Sequence, residues 1–321
     1  MNYRRLGKTG LKVSELSYGS WVTFSFQLKL DDATNMMKLA YDQGINFFDN
    51  AEAYASGRSE MIMGDAIKNL GWSRDSFVIS SKVFWGGDRP TQRGLSHKHI
   101  IDACNNALKR LNLDYLDLYF CHRPDPETPI EETVRAMHTL VMQGKICYWG
   151  TSEWSCGEIE EAYSVARKLN LTPPSMEQPE YNMFEREKME KDYLPLFENE
   201  GLGTTIWSPL SSGLLTGKYI DGMPSGTRTS LESYKFIKDR FESEDYKNKH
   251  EQVKQLHDLA KEIGIPLVQM ALCWCLKNKN VSTVILGASQ PEQLKQNIDS
   301  LDHLELLDDG IMERIESIIK K

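Results

Sequence analysis

The chain has 321 residues, 40% hydrophobic, 26% charged and 10% aromatic, enough apolar material to bury a large core. A formal net charge of −8 and a pI near 5.5 argue against non-specific binding to nucleic acid or anionic membrane surfaces, although a local basic pocket remains allowed. The opening MNYRRLGKTG has no apolar run behind it, and stretches such as LDYLDLYFC are too short to span a bilayer, so a cytoplasmic chain without membrane insertion is expected. Cys104, Cys121, Cys147, Cys156, Cys273 and Cys275 are scattered without a CxxC pair, so neither a metal site nor a disulfide framework is expected.

In chain order, residues 3–5 and 11–13, split by GKTG, predict a hairpin that could plug the end of a barrel. Short apolar runs then predict strands at 15–18, 45–49, 78–81, 116–121, 148–151, 176–178, 204–207 and 283–286. Most end in polar residues, as strands buried on both faces of a parallel sheet do. Helical patterns lie between them. Residues 31–42 open on an Asp cap and stop at Gly44; 97–111 follow Ser96; 130–142 end at Gly144. Further helical patterns cover 156–169, 186–200, 251–263 and 267–277. Eight such units predict an α/β fold, a (β/α)8 TIM barrel forming one domain over 1–321, with an open doubly wound sheet as the alternative. Residues 84–95 and 208–246 break the rhythm and read as long binding loops on the C-terminal face.

Three strand ends carry chemistry. The second strand ends at Asp49 with Tyr54 behind it, the third at Lys82 and the fourth at His122. Carbonyl reduction needs a proton donor at oxygen while hydride reaches carbon. A free tyrosine, with a pKa of about 10, is sluggish near neutrality. Lys82 would lower that pKa, Asp49 would hold Lys82 charged, and His122 would bond the substrate oxygen, leaving Tyr54 as the acid. No GxGxxG follows an early strand with an acidic residue at the expected distance, so a Rossmann site has no support.

At these residues the sequence resembles the aldo-keto reductase superfamily over essentially its full length, through YRRLGKTGLKVSELSYGSW, FDNAEAY, ISSK, DLYFCHRPD, YWGTSEWS, WSPLSSGLLTGKY and LGASQPEQLKQNI. FWGGDRPTQRGLSHKHII, EETVRAM and YWGTS resemble the branch containing the voltage-gated potassium-channel β subunits. The resemblance implies NADPH/NADP+ as cofactor, with NADH a lesser possibility, and a small carbonyl substrate. It also implies a homo-oligomer, a tetramer by analogy with the channel subunits. That branch carries asparagine where this chain has His122, the histidine of ordinary reductases.

By the same resemblance Tyr54 is the general acid, with Asp49, Lys82 and His122 as its partners. Ser152 and Gln178 match positions that bind the nicotinamide carboxamide, and Trp207 matches the ring that stacks on it. Ser208, Pro209, Leu210, Ser212 and Gly213 match the pyrophosphate-contacting turn. Lys218 and Arg228 lie in the loop over the cofactor, and Gly19, Ser20 and Trp21 line the first strand's exit. Gly287 and Ser289 sit at a strand-to-helix junction whose N–H groups would face an anion. With Gln293, Gln296 and Asn297, Ser289 matches the adenosine and 2′-phosphate pocket. Many relatives have Arg at Gln293 and Glu at Gln296, so one charged phosphate contact is missing here; Lys218, Arg228 and Lys295 could supply positive charge instead. Trp21, Phe84, Trp85, Trp154 and Tyr181 are expected to line an aromatic pocket mouth that favours apolar or aromatic carbonyl compounds. Two other readings stay open: a slow NADP(H)-binding regulatory module like the channel subunits, and a Schiff-base aldolase using Lys82.

Overall fold

A computed structural model of the chain describes residues 1–220, 222 and 244–320. Eight parallel strands close into a barrel: β3 (Leu16–Gly19), β4 (Phe47–Asp49), β5 (Val78–Val83), β6 (Leu116–Cys121), β7 (Ile146–Thr151), β8 (Met176–Glu177), β9 (Gly203–Ile206) and β10 (Thr283–Leu286), with β10 returning to β3. β3, β4, β5, β9 and β10 are buried at every position, as strands of a parallel sheet covered by helices are. The expected (β/α)8 barrel is therefore the fold, with strand ends shifted by one or two residues at most of the eight. Ahead of it, β1 (Tyr3–Arg5) pairs antiparallel with β2 (Lys12–Ser14). Leu6 and Val13 of this hairpin pack with Phe47, Val78, Leu118, Phe120 and Met176, so the hairpin plugs the barrel's base.

Five helices follow strands around the barrel: α1 (Leu30–Asp42), α2 (Arg58–Leu70), α3 (His97–Leu111), α4 (Ile130–Met142) and α5 (Cys156–Leu169). α1 differs from the expected Asp-capped start. Lys29 is its N-cap, without a side-chain cap, and Asp31 and Asp32 lie in the first turn, where they face the positive end of the helix dipole. Ser96 caps α3, and Ser155 with Glu158 forms a capping box on α5. The segment expected as one helix over 186–200 is instead two short π-helical turns, Lys188–Asp192 and Leu196–Glu200. They are separated at Tyr193, and Pro195 is the N-cap of the second.

The chain's internal contacts gather it into two compact units. The first, residues 1–179, 187–207 and 280–294, contains the whole barrel. The second, residues 180–186, 208–279 and 295–321, contains α6 (Glu244–Glu262), α7 (Leu267–Lys277) and α9 (Asp309–Ile319), while α8 (Pro291–Ile298) spans the change from one to the other. α7 is buried continuously from Leu267 to Leu276. Among the described residues no single helix is long and apolar enough to cross a membrane.

Backbone strain gathers where strands end. Ten described non-glycine residues have positive φ, and Asn112 and Asn170 are ordinary helix C-caps. The other eight follow the C-terminal ends of strands: Val22 and Ser25 after β3, Ala55 and Ser56 after β4, Glu153 after β7, and Ser208, Ser211 and Ser212 after β9. Such conformations persist where surrounding structure fixes a functional geometry. The expected loop 84–95 is itself folded: Trp85 bridges Arg93, Pro90–Gln92 forms the turn, and Asp125 accepts from the Leu95 N–H at 2.7 Å.

Candidate active site

β4 and β5 lie side by side, so Asp49 at the end of one and Lys82 near the end of the other meet inside the barrel. The Lys82 ammonium is fully buried and spends its three N–H donors on Asp49 Oδ2 at 2.6 Å, the Asn50 carbonyl at 2.8 Å and the Tyr54 hydroxyl at 3.1 Å. Since that hydroxyl accepts from Lys82, its own proton must point elsewhere. Asp49 Oδ1 accepts in turn from Ser80 Oγ at 2.7 Å and Gln178 Nε2 at 3.2 Å. Tyr54 is carried on a turn in which Ala55, Ser56 and Gly57 all have positive φ. Its ring meets His122 edge-on at 5.8 Å, and Trp85 meets His122 at 5.1 Å. Tyr54, Asp49, Lys82 and His122 thus form one cluster.

The electrostatics differ from expectation in one respect. The phenol of Tyr54 is pushed well above its usual range by burial, reinforced by the Asp49 carboxylate, and the Arg123 guanidinium opposes the rise. The sequence expectation was a fall. Desolvation of the phenolate outweighs the Arg123 cation. Burial pulls the Lys82 ammonium down, and Asp49 opposes that pull. Burial, helped by Lys82 and Arg123, holds His122 well below the ordinary histidine value, so its ring is neutral. Its Nδ1 is buried without a hydrogen-bond partner among the described residues.

Beside this cluster the ends of β7, β8 and β9 present Ser152, Gln178 and Trp207. Ser152 Oγ donates to the Gln178 carbonyl at 2.9 Å. Trp207 is only partly buried; its Nε1 donates to Glu153 Oε1 at 2.9 Å, Glu153 Oε2 accepts from Lys188 at 2.6 Å, and Trp21 meets the indole edge-on at 6.4 Å. Gly19 and Ser20 are buried at the end of β3, where a Cβ on Gly19 would lie 2.6 Å from Ile285 Cγ2. Phe84 packs edge-on against Trp85, which is 38% exposed. Two expected mouth residues are placed otherwise: Trp154 is only 2% exposed, and Tyr181 is buried against Trp274 within the second unit.

Within the second unit, Ser208 Oγ accepts from the Ser212 N–H at 3.0 Å, closing the turn that carries Pro209 and Leu210. Gly213 has φ 101°, and a Cβ there would lie 3.6 Å from Lys218 Nζ, so a cation stands over this turn. Asn297 is buried and Gln296 exposed. In the first unit Gly287 is exposed, and the Ser289 N–H, expected to face an anion, donates to Gln293 Oε1 at 3.1 Å. Arg228 lies outside the described residues.

Residues 15–320 match the model of the aldo/keto reductase family. The chain belongs to that family. It is 50% identical over 321 residues, all of this chain and 97% of the relative, to an Arabidopsis thaliana protein named "Probable voltage-gated potassium channel subunit beta". A rice protein (Oryza sativa subsp. japonica) of the same name is 49% identical, with the same coverage. As an aldo/keto reductase the chain has a general oxidoreductase role, and reductases of this family generally bind NADP(H). The residues present fit such a cofactor. The tethered Trp207 indole keeps accessible surface for a flat ring, and Gln178 Oε1 accepts no hydrogen bond among the described residues.

Sequence reasoning missed three polar contributors. Asn50 gives Lys82 a carbonyl, a role any residue's backbone could fill. Ser80 is signalled by the VISSK run, whose alternate positions face the barrel interior. Arg123 follows His122 directly, yet its side chain folds back to stand over the rings of Trp85 at 5.5 Å and Trp207 at 6.0 Å.

Proposed function

We propose that this aldo/keto reductase is an NADPH-dependent carbonyl reductase with Tyr54 as general acid. The observation that carries the reading is the buried Lys82 ammonium held between Asp49 and the Tyr54 hydroxyl. When bound, the reduced nicotinamide supplies the hydride. Trp207, Ser152 and Gln178 would hold its ring. As the carbonyl oxygen of the substrate gains charge it becomes a far stronger base than phenolate. The protonated Tyr54 can therefore release its proton to that oxygen even with its raised pKa. Lys82 then stabilises the phenolate left behind, and Asp49, itself held by Ser80, fixes the ammonium. Neutral His122 offers a hydrogen bond to the same oxygen without adding a repelling charge beside Lys82.

Tyr54→Phe removes the proton relay while leaving the ring. It should cut aldehyde reduction by about 10²–10⁴-fold, measured as NADPH oxidation at 340 nm with 4-nitrobenzaldehyde, while NADPH fluorescence titration still shows binding. Near-parental turnover would overturn the assignment of Tyr54. The relatives' names favour a second reading, a channel-associated subunit that holds NADP(H) and turns over slowly. Parental single-turnover and steady-state rates both above about 1 s⁻¹ would be ordinary for an enzyme and would exclude it.

A further inference from the structure

Beside the Tyr54 cluster stands a charge for which the described residues provide no carboxylate. Arg123 is half-buried, its guanidinium over the indoles of Trp85 and Trp207. Its Nη1 donates to the His122 carbonyl at 2.5 Å and to Ser152 Oγ at 3.3 Å. Among the described residues its Nε and Nη2 donate to nothing, and no Asp or Glu pairs with it. A guanidinium stays protonated at any ordinary pH and presents its donors in a rigid fork matched to a carboxylate. The two indole contacts help to fix the side chain in place without neutralising it. Removing a charge from water without a counter-ion is costly.

The guanidinium is also close to the reacting groups. Trp85 touches both it and His122, and His122 touches Tyr54. Its charge acts on the Tyr54 phenol, the Lys82 ammonium and the His122 ring alike. We infer that Arg123 is a specificity-determining residue that binds an anionic substituent of the substrate. The preferred substrates are then aldehydes or ketones that carry a carboxylate. This rests on the reductase reading above, and it replaces the purely apolar preference that the aromatic residues alone suggest. Ser152, which shares Nη1, is also the residue assigned to the nicotinamide amide, so the competing role for Arg123 is to read the cofactor.

The test compares 3- and 4-carboxybenzaldehyde with their methyl esters, together with isophthalate binding followed by tryptophan fluorescence in the presence of NADP+. The parental protein should reduce at least one acid at least tenfold more efficiently in kcat/KM than its ester. It should also bind isophthalate at least tenfold more tightly than dimethyl isophthalate. Arg123→Met should collapse both ratios, mainly through KM, and Arg123→Lys should restore part of each. An acid-to-ester ratio near one in the parent overturns the inference, whether or not the variant folds. So does a variant that loses NADP+ affinity with the acid-to-ester ratio intact, which would assign Arg123 to the cofactor. If neither aldehydes nor esters are reduced while isophthalate still binds through Arg123, the anion site stands and the reductase reading falls.

Discussion

Glu177 shows at the scale of one residue how the barrel interior controls protons. It ends β8 fully buried; Oε2 accepts from Thr151 Oγ1, and Oε1 has no partner among the described residues. Burial pushes its carboxyl up to about 8, against about 4.3 for an unperturbed glutamate. Between those values the native state holds a proton that the unfolded chain has lost. The stability linked to this group is therefore complete below about pH 4 and is lost as pH rises through about 8, by at most about 1.4 kcal/mol per pH unit. Glu177→Gln, permanently neutral and nearly isosteric, should lack that slope. Its melting temperature should exceed the parent's by a margin that widens from pH 5 to pH 8 and then levels off. A margin that stays flat over that range would mean that Glu177 is ionised in the native protein.

At the scale of elements, short β-rich runs between helical patterns located all eight barrel strands, even where they carry polar residues, as β5 does at Ser80, Ser81 and Lys82 and β9 at Thr204 and Thr205. The boundaries of α3, α4, α5 and α7 were equally legible, since caps, glycines or prolines mark their ends. α2 was not, because its N-cap is Gly57 in a left-handed conformation, with no side chain to cap the helix. Asp49, Lys82 and His122 could be picked out because strand order alone brings their ends to one rim. The fold-back of Arg123 depends on two indoles distant in sequence, which no local pattern encodes. A glycine inside β7 illustrates a similar non-local demand. A Cβ on Gly150 would lie 2.1 Å from the Met176 carbonyl oxygen of the neighbouring strand. Gly150→Ala should therefore destabilise the protein by about 3 kcal/mol or more in urea unfolding. Gly157→Ala in α5, with nothing within 4 Å, should stay within about 0.5 kcal/mol of the parent. Equal effects at the two positions would mean that β7 and β8 do not approach so closely.

At the scale of the molecule, the barrel separates what stabilises it from what reacts. The hairpin residues Leu6 and Val13 pack with Phe47, Val78 and Met176, the first residues of their strands, whereas Asp49, Lys82, His122, Ser152, Gln178 and Trp207 sit at or just past strand C-terminal ends. Barrels of this kind place chemistry at one face and tolerate stability changes at the other. Leu6 is fully buried, so Leu6→Ala removes three carbons and leaves a cavity at the base, at a cost of about 2–5 kcal/mol. The network around the Lys82 ammonium includes no atom of the hairpin, so the geometry at Tyr54 should survive. The variant should melt at a lower temperature yet keep kcat/KM within about twofold of the parent when assayed well below its transition. Tyr54→Phe should show the reverse signature, an unchanged melt with little activity. If Leu6→Ala instead lost activity in proportion to stability, the plug and the reaction rim would be coupled through the barrel, and the separation argued from strand direction would fail.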